Sequence, residues 1–157
     1  MLSEILVSNK TEGFYNIYVE ENNKNKLIKI KVNNVNLPFG IEEYKNKYVI
    51  NFEVNDNESC KKFTEIINKL ERNIINLIDH EVDIKSVLYK KENYPTKCRA
   101  YIKKNKNKFI TVYKLNNKEV SLFEIQKNES YNLELEISGI WKYKNTSGLY
   151  INISQIN

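Results

Sequence analysis

The chain is poor in the residues that build metal sites and disulfide frameworks. It contains two cysteines and one histidine among 157 residues, and no CxxC pair occurs. This argues against a disulfide framework and against a cysteine-based zinc site, so we expect two free thiols in a reducing compartment. His80 has no metal-ligand spacing to Cys60 or Cys98, and we expect it to face solvent or to cap a helix. No metal and no cofactor are expected.

Motifs of common enzymes are also absent from the sequence. There is no HExxH, P-loop or G-x-S-x-G segment, whereas catalysis needs a nucleophile with a base, or clustered carboxylates. The nearest acidic pair, Glu42 and Glu43, has no obvious partner and is interpreted as a solvated turn. We therefore expect that the protein is not an enzyme. Nuclease activity with a divalent metal would overturn that expectation.

Long apolar runs and arginines are scarce as well. No run of about 18 apolar residues occurs, which predicts no transmembrane helix. The first residues, MLSEILVSNKTEG, lack the basic and apolar regions of a secretory signal, so an intracellular protein without a membrane partner is expected. The net charge of +5 rests on lysine, because Arg72 and Arg99 are the only arginines. A basic chain favours polyanionic partners, but an AT-rich genome also produces many Lys, Asn and Ile residues.

Short alternating segments lie on both sides of one helical segment. FYNIYVE (14–20) and KLIKIKV (26–32) flank the turn-rich ENNKN and predict a hairpin, and KYVINFEV (47–54) predicts another strand. Further strands are predicted at 97–104, 108–115, 119–125, 131–143 and 149–156. We predict one domain over 1–157, with an N-terminal β/α half at about 1–90 and a β half at about 91–157. The class is mainly β with one long helix (α+β), either a small barrel or an α+β domain.

The helix is predicted over residues 58–79, with Asp56 or Asn57 as its N-cap. Its apolar side chains recur at helical spacing and form one stripe: Phe63, Ile66, Ile67, Leu70, Ile74, Leu77 and Ile78. The charged residues, Glu71 among them, lie largely off this stripe. We expect the stripe to pack on the sheet as core rather than to serve a partner.

The stretch KCRAYIKKNKNKFITVYKL (97–115) predicts a hairpin with two different faces. A three-residue turn at 105–107 would set Lys104 opposite Lys108. The face expected in the core carries Cys98, Ala100, Ile102, Ile110 and Val112. The face expected in solvent carries Lys97, Arg99, Tyr101, Lys103, Phe109, Thr111 and Tyr113. Rings for stacking bases beside cations for phosphates are typical of single-strand binding. An ordinary solvated face, or a face covered by the N-terminal half, is the alternative.

The last stretch, SGIWKYKNTSGLYINISQI (138–156), predicts another hairpin, with NTSG as its turn. It contains the only tryptophan, Trp141. Strict alternation from Leu133, Leu135 and Ile137 would bury Trp141 and Tyr143. A bulge at Gly139 would instead turn Ile140 inward and Trp141 outward, and the sequence leaves both alternatives open. After the turn, the residues expected to point inward are Leu149, Ile151 and Ile153, and those expected to point outward are Tyr150, Asn152 and Ser154.

Taken in order, these motifs resemble the single-stranded DNA-binding proteins of the large nucleocytoplasmic DNA viruses. The matching segments are LPFGIEEYKNKYVINFEV, the helix, YPTKCRAYI and GIWKYKNTSGLYINISQI, from about Leu37 to Ile156. The matching positions are Pro38, Phe39, Gly40, Pro95, Trp141 and Gly148. The resemblance implies an oligonucleotide-binding (OB) type β-barrel core with an N-terminal β extension. It also implies sequence-independent binding of single-stranded DNA in viral genome replication, recombination or repair.

Single-stranded DNA is therefore the expected partner, with RNA as an alternative. Replication proteins and a second copy of the chain are further candidates. The expected location is the host cytoplasm or nucleus at viral replication sites, or the virion. The candidate binding residues are Lys97, Arg99, Tyr101, Lys103, Lys106, Lys108, Phe109, Tyr113, Trp141, Lys142, Tyr143 and Tyr150, with Lys144 as a further phosphate contact. The alternative function is a protein-interaction or assembly subunit of a viral replication or virion complex, without direct DNA binding.

Overall fold

The computed structural model describes residues 5–11 and 13–157. The strands before the helix are β1 (Ile5–Thr11), β2 (Phe14–Glu21), β3 (Lys24–Lys26), β4 (Ile28–Leu37), β5 (Ile41–Tyr44) and β6 (Lys47–Glu53). The helix α1 spans Glu58–Ile78. The strands after it are β7 (Asp83–Ile84), β8 (Leu88–Tyr89), β9 (Lys97–Ile102), β10 (Lys104–Asn105), β11 (Lys108–Phe109), β12 (Val112–Leu115), β13 (Lys118–Val120), β14 (Glu129–Tyr143) and β15 (Thr146–Ile156). The predicted α+β class, mainly β with one helix, is confirmed.

In the described part of the chain, thirteen strands join one sheet with the main order β1-β2-β14-β15-β9-β6-β5. The long hairpin of β14 and β15 lies at its centre. β14 pairs with β4 along its first half and with β2 near its end, while β15 pairs in parallel with β9. β1 and β5 lie at opposite ends of the path, so these strands form an open sheet and not a closed barrel. The two predicted halves of the chain are interleaved in this sheet.

The helix covers the apolar side of the sheet, as predicted. Asn57, not Asp56, is the N-cap, and its side chain accepts a hydrogen bond from the Cys60 backbone nitrogen at 2.9 Å. The stripe residues Phe63, Ile67, Leu70, Ile74 and Ile78 are buried, while Ile66 and Leu77 are partly buried against the same core. The helix packs on β4 and β15. His80 is exposed just beyond its C-terminal end.

Glu71 departs from the prediction for the charged residues of the helix. Its side chain lies on the buried side of α1 and is 7% exposed. The carboxylate accepts hydrogen bonds from the Ser86 hydroxyl at 2.7 Å and from the Val87 backbone nitrogen at 2.8 Å. Such charge-assisted bonds offset the cost of burying a carboxylate. Glu71 therefore holds the segment 85–87 in place beside β15, where the Lys85 nitrogen donates to Ser147 O at 2.8 Å.

The predicted hairpin over 97–115 is wrong in its turn and in most of its pairing. Its turn has two residues, because Lys104 pairs with Phe109 and Asn105 with Lys108. Beyond this short ladder the two predicted strands do not pair with each other, because β9 and β12 each pair in parallel with β15. Ile110, expected in the core, is 48% exposed, whereas Thr111 and Tyr113, expected in solvent, are 3% and 5% exposed. Val112 is only partly buried. On the first strand, the core positions of Cys98, Ala100 and Ile102 are confirmed.

A bulge in β14 turns Trp141 outward. The pairing with β15 shifts between Ile137 and Gly139, so that Ile137 and Ile140 are both fully buried and Trp141 lies on the other face, half-buried. Gly139 allows this because a Cβ there would collide with the Phe14 ring and with Tyr15 O. The inward positions of Leu149, Ile151 and Ile153 are confirmed. The turn, however, consists of residues 144–145, not NTSG, since Tyr143 pairs with Thr146.

Neither cysteine of the native protein should react with a thiol reagent such as DTNB at neutral pH. Cys60 and Cys98 are both 0% exposed. Burial, with Glu71 as a second cause, raises the pKa of the Cys98 thiol well above its ordinary value, and burial also raises the pKa of the Cys60 thiol. Because the thiolate is the reactive form, both thiols should react only after denaturation. Rapid reaction of native Cys98 would show that the two faces of β9 are exchanged.

Candidate nucleic-acid interface

A row of aromatic side chains crosses the sheet on the side opposite α1. Tyr101 of β9 alternates with the buried Ala100 and Ile102 and so points away from the core. Tyr150 of β15 stacks on it, with ring centroids 4.5 Å apart and planes at 6°. Phe14 of β2 packs edge-on against Tyr150 with a centroid distance of 5.8 Å. The row therefore extends from β2 across the central hairpin to β9.

Lys47 of β6 fixes the stacked pair. Its Nζ lies 5.4 Å from the ring centroid of Tyr101 and 5.3 Å from that of Tyr150, within the range of a cation–π interaction. It also donates a hydrogen bond to the Tyr150 hydroxyl at 3.3 Å. Because the facing sides of the two rings already contact each other, the pair forms a wall. A base can stack only on an outer ring face.

Asn51 of β6 holds Arg99 in one orientation. The Arg99 Nε donates to Asn51 Oδ1 at 3.3 Å, and the same oxygen accepts from the Tyr89 hydroxyl at 2.7 Å. The Arg99 guanidinium carbon lies 4.4 Å from the Tyr44 ring centroid. The three ion pairs found within residues 5–11 and 13–157 do not involve Arg99. Its guanidinium is thus oriented by a neutral amide and an aromatic ring rather than neutralised by a carboxylate.

These side chains surround a cavity of about 410 Å³, which we call the Trp141 pocket. Its lining consists of Tyr44, Lys45, Lys85, Ser86, Val87, Tyr89, Arg99, Tyr101, Trp141, Leu149 and Tyr150. Five of these residues are aromatic, three are basic and none is acidic. This lining suits a ligand that has both a flat ring and a negative charge, because it offers aromatic rings and cations and no carboxylate.

Gly148 brings two walls of the Trp141 pocket together. A Cβ at this position would lie 2.9 Å from Trp141 Nε1 and 2.7 Å from Lys85 O. The absence of a side chain therefore lets the indole lie against β15 while the segment held by Glu71 approaches from the other side. This gives a physical reason for the glycine at position 148.

The pKa values of three tyrosines in the pocket differ, because positive charge and burial are unevenly distributed among them. Hydrogen bonding to Lys45 and the charges of Lys45 and Arg99 lower the pKa of Tyr44 below its ordinary value. Burial instead raises the pKa of Tyr89, and burial followed by the neighbouring Tyr150 raises the pKa of Tyr101. The Tyr44 side of the pocket is therefore the electropositive side.

A second cavity, of about 380 Å³, adjoins the first at Tyr150, and we call it the lysine strip. Its lining consists of Asn46, Lys47, Tyr48, Ile102, Lys103, Lys104, Lys106, Ile110, Tyr150 and Asn152, with no acidic residue. Lys103 nevertheless pairs with Glu136 at 3.0 Å, and the Glu136 side chain is 8% exposed. The charge available in the strip therefore comes from Lys47, Lys104 and Lys106.

An aromatic cluster lies beside the lysine strip. Tyr48, Phe109 and Phe123 pack edge to face with centroid distances of 5.5–5.9 Å. Lys104 Nζ lies 5.5 Å from the centroids of Tyr48 and Phe109. Phe123 is 63% exposed, so one side of this cluster is open to a ligand.

Three hairpin turns on this surface carry a lysine in an unusual backbone conformation. Lys45, Lys106 and Lys144 each occupy the first position of a two-residue turn, with φ of 49°, 55° and 54°. Positive φ is sterically costly for lysine and much better tolerated by asparagine. The turns after β2 and β12 have Asn22 and Asn116 at this position with similar angles. Of the three turn lysines, Lys45 and Lys106 line the two cavities, while Lys144 lines neither. Lysine thus replaces the favoured residue at the three turns around the candidate site.

The structure brings together six of the twelve predicted binding residues. Arg99, Tyr101, Trp141 and Tyr150 line the Trp141 pocket, and Lys103 and Lys106 line the lysine strip. The remaining predicted residues, which line neither cavity, are Lys97, Lys108, Phe109, Tyr113, Lys142 and Tyr143.

Two of those six are buried, contrary to prediction. Tyr113 packs edge-on against Tyr131 and cannot stack on a base. Lys97 is 8% exposed, and its Nζ lies 5.9 Å from the Phe39 centroid and 5.3 Å from the Tyr94 centroid. Ring contacts therefore replace part of the hydration of Lys97, which the sequence analysis expected to face solvent.

The other four lie at the border of the site. Phe109 belongs to the aromatic cluster, and Lys108 is exposed beside it. Tyr143 is 69% exposed at the tip of the central hairpin. Lys142 Nζ donates to Lys144 O at 3.1 Å, so its charge lies against the turn.

Sequence reasoning missed several residues that β5, β6 and the 85–89 segment contribute. These are Tyr44, Lys45, Lys47, Asn51, Lys85 and Tyr89. Glu42, interpreted as part of a solvated turn without a partner, lies in β5 and accepts a hydrogen bond from Asn51 Nδ2 at 2.9 Å. Asn46, just before the predicted strand 47–54, was the available signal, because asparagine adopts the positive φ that hairpin turns require.

Comparisons with known proteins give the chain no family. No protein-family model matches it, and no curated protein matches it. Among residues 5–11 and 13–157, no group of three or more His, Cys, Asp or Glu side chains is placed to hold a metal ion. No helix in these same ranges has the length and apolar character needed to cross a membrane.

Proposed function

We propose that the protein binds single-stranded DNA without sequence preference, in the replication, recombination or repair of a viral genome. The observation that carries this proposal is the Trp141 pocket, which joins five aromatic and three basic residues without an acidic one. Bases stack on aromatic rings, while cations track the phosphates of the same strand. The lysine strip continues the basic surface from Tyr150 towards the aromatic cluster.

The chemistry of the lining supports sequence independence. Ring faces and ammonium groups interact with features that all nucleotides share, the flat base and the phosphate. The guanidinium of Arg99 is already engaged through Nε and through its face on Tyr44. Its terminal nitrogens suit the two oxygens of a phosphate.

An OB-type core is part of the proposal. The strands β4-β14-β15-β9-β6 are neighbours in this order. β4 and β6 lie close together, as the hydrogen bond from Asn36 Nδ2 to Glu53 Oε1 at 2.8 Å shows. Among the described strands, however, no backbone hydrogen-bond ladder joins these two. An OB-fold is a five-stranded, partly open barrel. The gap between β4 and β6 would be the open seam of that barrel.

Single-stranded DNA should bind more tightly than duplex DNA of the same length. The aromatic rings need base faces that a duplex keeps stacked inside the helix. Fluorescence anisotropy with labelled oligo(dT), a blunt duplex and an RNA of matched length would measure the preference. Equal affinity for the duplex would exclude the stacking mechanism.

An assembly role is the second candidate function. Two apolar side chains at the strip and its aromatic cluster are unusually accessible: Phe123 is 63% exposed and Ile110 is 48% exposed. Such exposed apolar side chains are typical of protein contacts. A mainly apolar interface would respond weakly to salt, whereas a phosphate track would respond steeply.

A further inference from the structure

We infer that the Trp141 pocket is a receptor for one nucleotide, with the base against Trp141 and the phosphate on Arg99. A free nucleoside monophosphate would therefore bind there without the rest of a strand. This inference rests on the proposed function, because it takes the ligand to be a unit of a nucleic acid. It goes beyond that function by dividing the surface into a discrete pocket and an extended strip.

The size and walls of the pocket support a single nucleotide. Its volume of about 410 Å³ lies near the lower end of the range for small-molecule sites. The stacked Tyr101 and Tyr150 close one side, and the segment 85–87, held by Glu71, closes another. A flat ligand can enter beside the indole of Trp141, but the stacked tyrosines separate this space from the lysine strip.

The charge of the pocket supports a phosphate at Arg99. Asn51 is 4% exposed and accepts hydrogen bonds from both Arg99 and Tyr89, so the guanidinium is positioned before a ligand arrives. Lys45 lies on the same side, since its Nζ is 5.3 Å and the Arg99 guanidinium carbon 4.4 Å from the Tyr44 ring centroid. Pre-positioned donors cost little ordering on binding. A planar guanidinium can bind two phosphate oxygens at once.

The intrinsic fluorescence of Trp141 provides a site-specific readout, because it is the only tryptophan in the chain. The probes are thymidine 5′-monophosphate, thymidine and inorganic phosphate, each titrated into the full chain at low salt. We expect saturable quenching by the monophosphate. Thymidine should bind about tenfold more weakly, since it lacks the charge-assisted bonds to Arg99.

The two arginines of the chain offer a matched pair of variants. Arg99→Gln should weaken the binding of thymidine 5′-monophosphate about tenfold and leave the binding of thymidine unchanged. Arg72 lies on the exposed side of α1, so Arg72→Gln should change neither of these two affinities. If Arg99→Gln does not fold, Arg99→Lys replaces it. Arg99→Lys keeps the positive charge but loses the planar guanidinium group. It should therefore also weaken the binding of the monophosphate more than the binding of thymidine.

The possible failures are distinguishable. If oligo(dT) quenches Trp141 but the monophosphate does not bind the pocket, the one-nucleotide inference is wrong and the proposed function stands. If inorganic phosphate binds the pocket as tightly as the monophosphate does, the pocket is an anion site without a base subsite. This result would also overturn the inference. If the monophosphate binds as expected but oligo(dT) binds no tighter, the inference holds and the proposed function fails.

Discussion

The Trp141→Ala variant should bind oligo(dT) roughly 5- to 150-fold more weakly than the natural protein. Loss of one stacked base costs about 1–3 kcal/mol, which corresponds to this range. Trp141 is the largest ring in the pocket, and its indole lies against Gly148 of β15. Fluorescence anisotropy at fixed salt measures the change.

Two further variants separate stacking from a loss of structure. Trp141→Phe keeps a flat ring and should retain most of the affinity. Tyr94→Ala removes a ring that is 59% exposed and outside both cavities, so it should have little effect. An unchanged affinity of Trp141→Ala, in a protein that melts normally, would show that Trp141 does not contact DNA.

Leu70→Ala should lower the free energy of unfolding by about 2–5 kcal/mol. Leu70 is 0% exposed in the middle of the apolar stripe of α1. Its truncation removes buried contacts and leaves a cavity that the surrounding sheet can fill only in part. Denaturant unfolding followed by circular dichroism measures the loss. The neighbouring exposed position provides the control, as Lys69→Ala should be nearly neutral.

A neutral result for Leu70→Ala would contradict the packing of α1 on β4 and β15. The stripe would then have to be an exposed face that serves a partner. The oligo(dT) affinity of the folded fraction should be unchanged in this variant, because Leu70 is buried in the core and lines neither cavity.

Local periodicity predicted those parts of the fold that depend on neighbouring residues alone. The alternation in 97–102 and 149–153 placed Arg99, Tyr101 and Tyr150 on the outer face, because side chains of a strand alternate strictly. The stripe of α1 was likewise evident from its spacing. The bulge at Gly139 could be stated only as an alternative, since it depends on Phe14 and Tyr15 from another strand.

The register of the 97–115 hairpin could not be decided from its sequence. The run KKNKNK permits turns that differ by one residue, and a difference of one residue exchanges the two faces. The prediction for Thr111 and Tyr113 failed because this segment pairs with β15 and not with β9, while that for Tyr101, which precedes the turn, did not fail. The long-range partners were also beyond local patterns. Asn51 reaches Arg99 only because β6 pairs with β9, about fifty residues later in the chain.

The turn lysines allow a test that removes charge without disturbing the fold. Replacing Lys45, Lys106 and Lys144 with asparagine gives these turns the residue found in the hairpins after β2 and β12. Because asparagine adopts positive φ more readily than lysine, the triple variant should be at least as stable as the natural protein. The control variant replaces Lys61, Lys62 and Lys69, which are exposed on α1, with glutamine and thereby removes the same charge.

The most direct test of single-strand binding through this surface is the salt dependence of oligo(dT) affinity in these three proteins. The logarithm of the binding constant should fall linearly with the logarithm of salt concentration, by roughly 0.7 per phosphate contact. In the triple variant of the turn lysines, this slope should be less steep by up to about 2.1, which corresponds to three phosphate contacts. In the control variant of the helix lysines, the slope should be nearly unchanged. A shallow dependence in the natural protein, or equal loss in both variants, would contradict a phosphate track across the Trp141 pocket and the lysine strip.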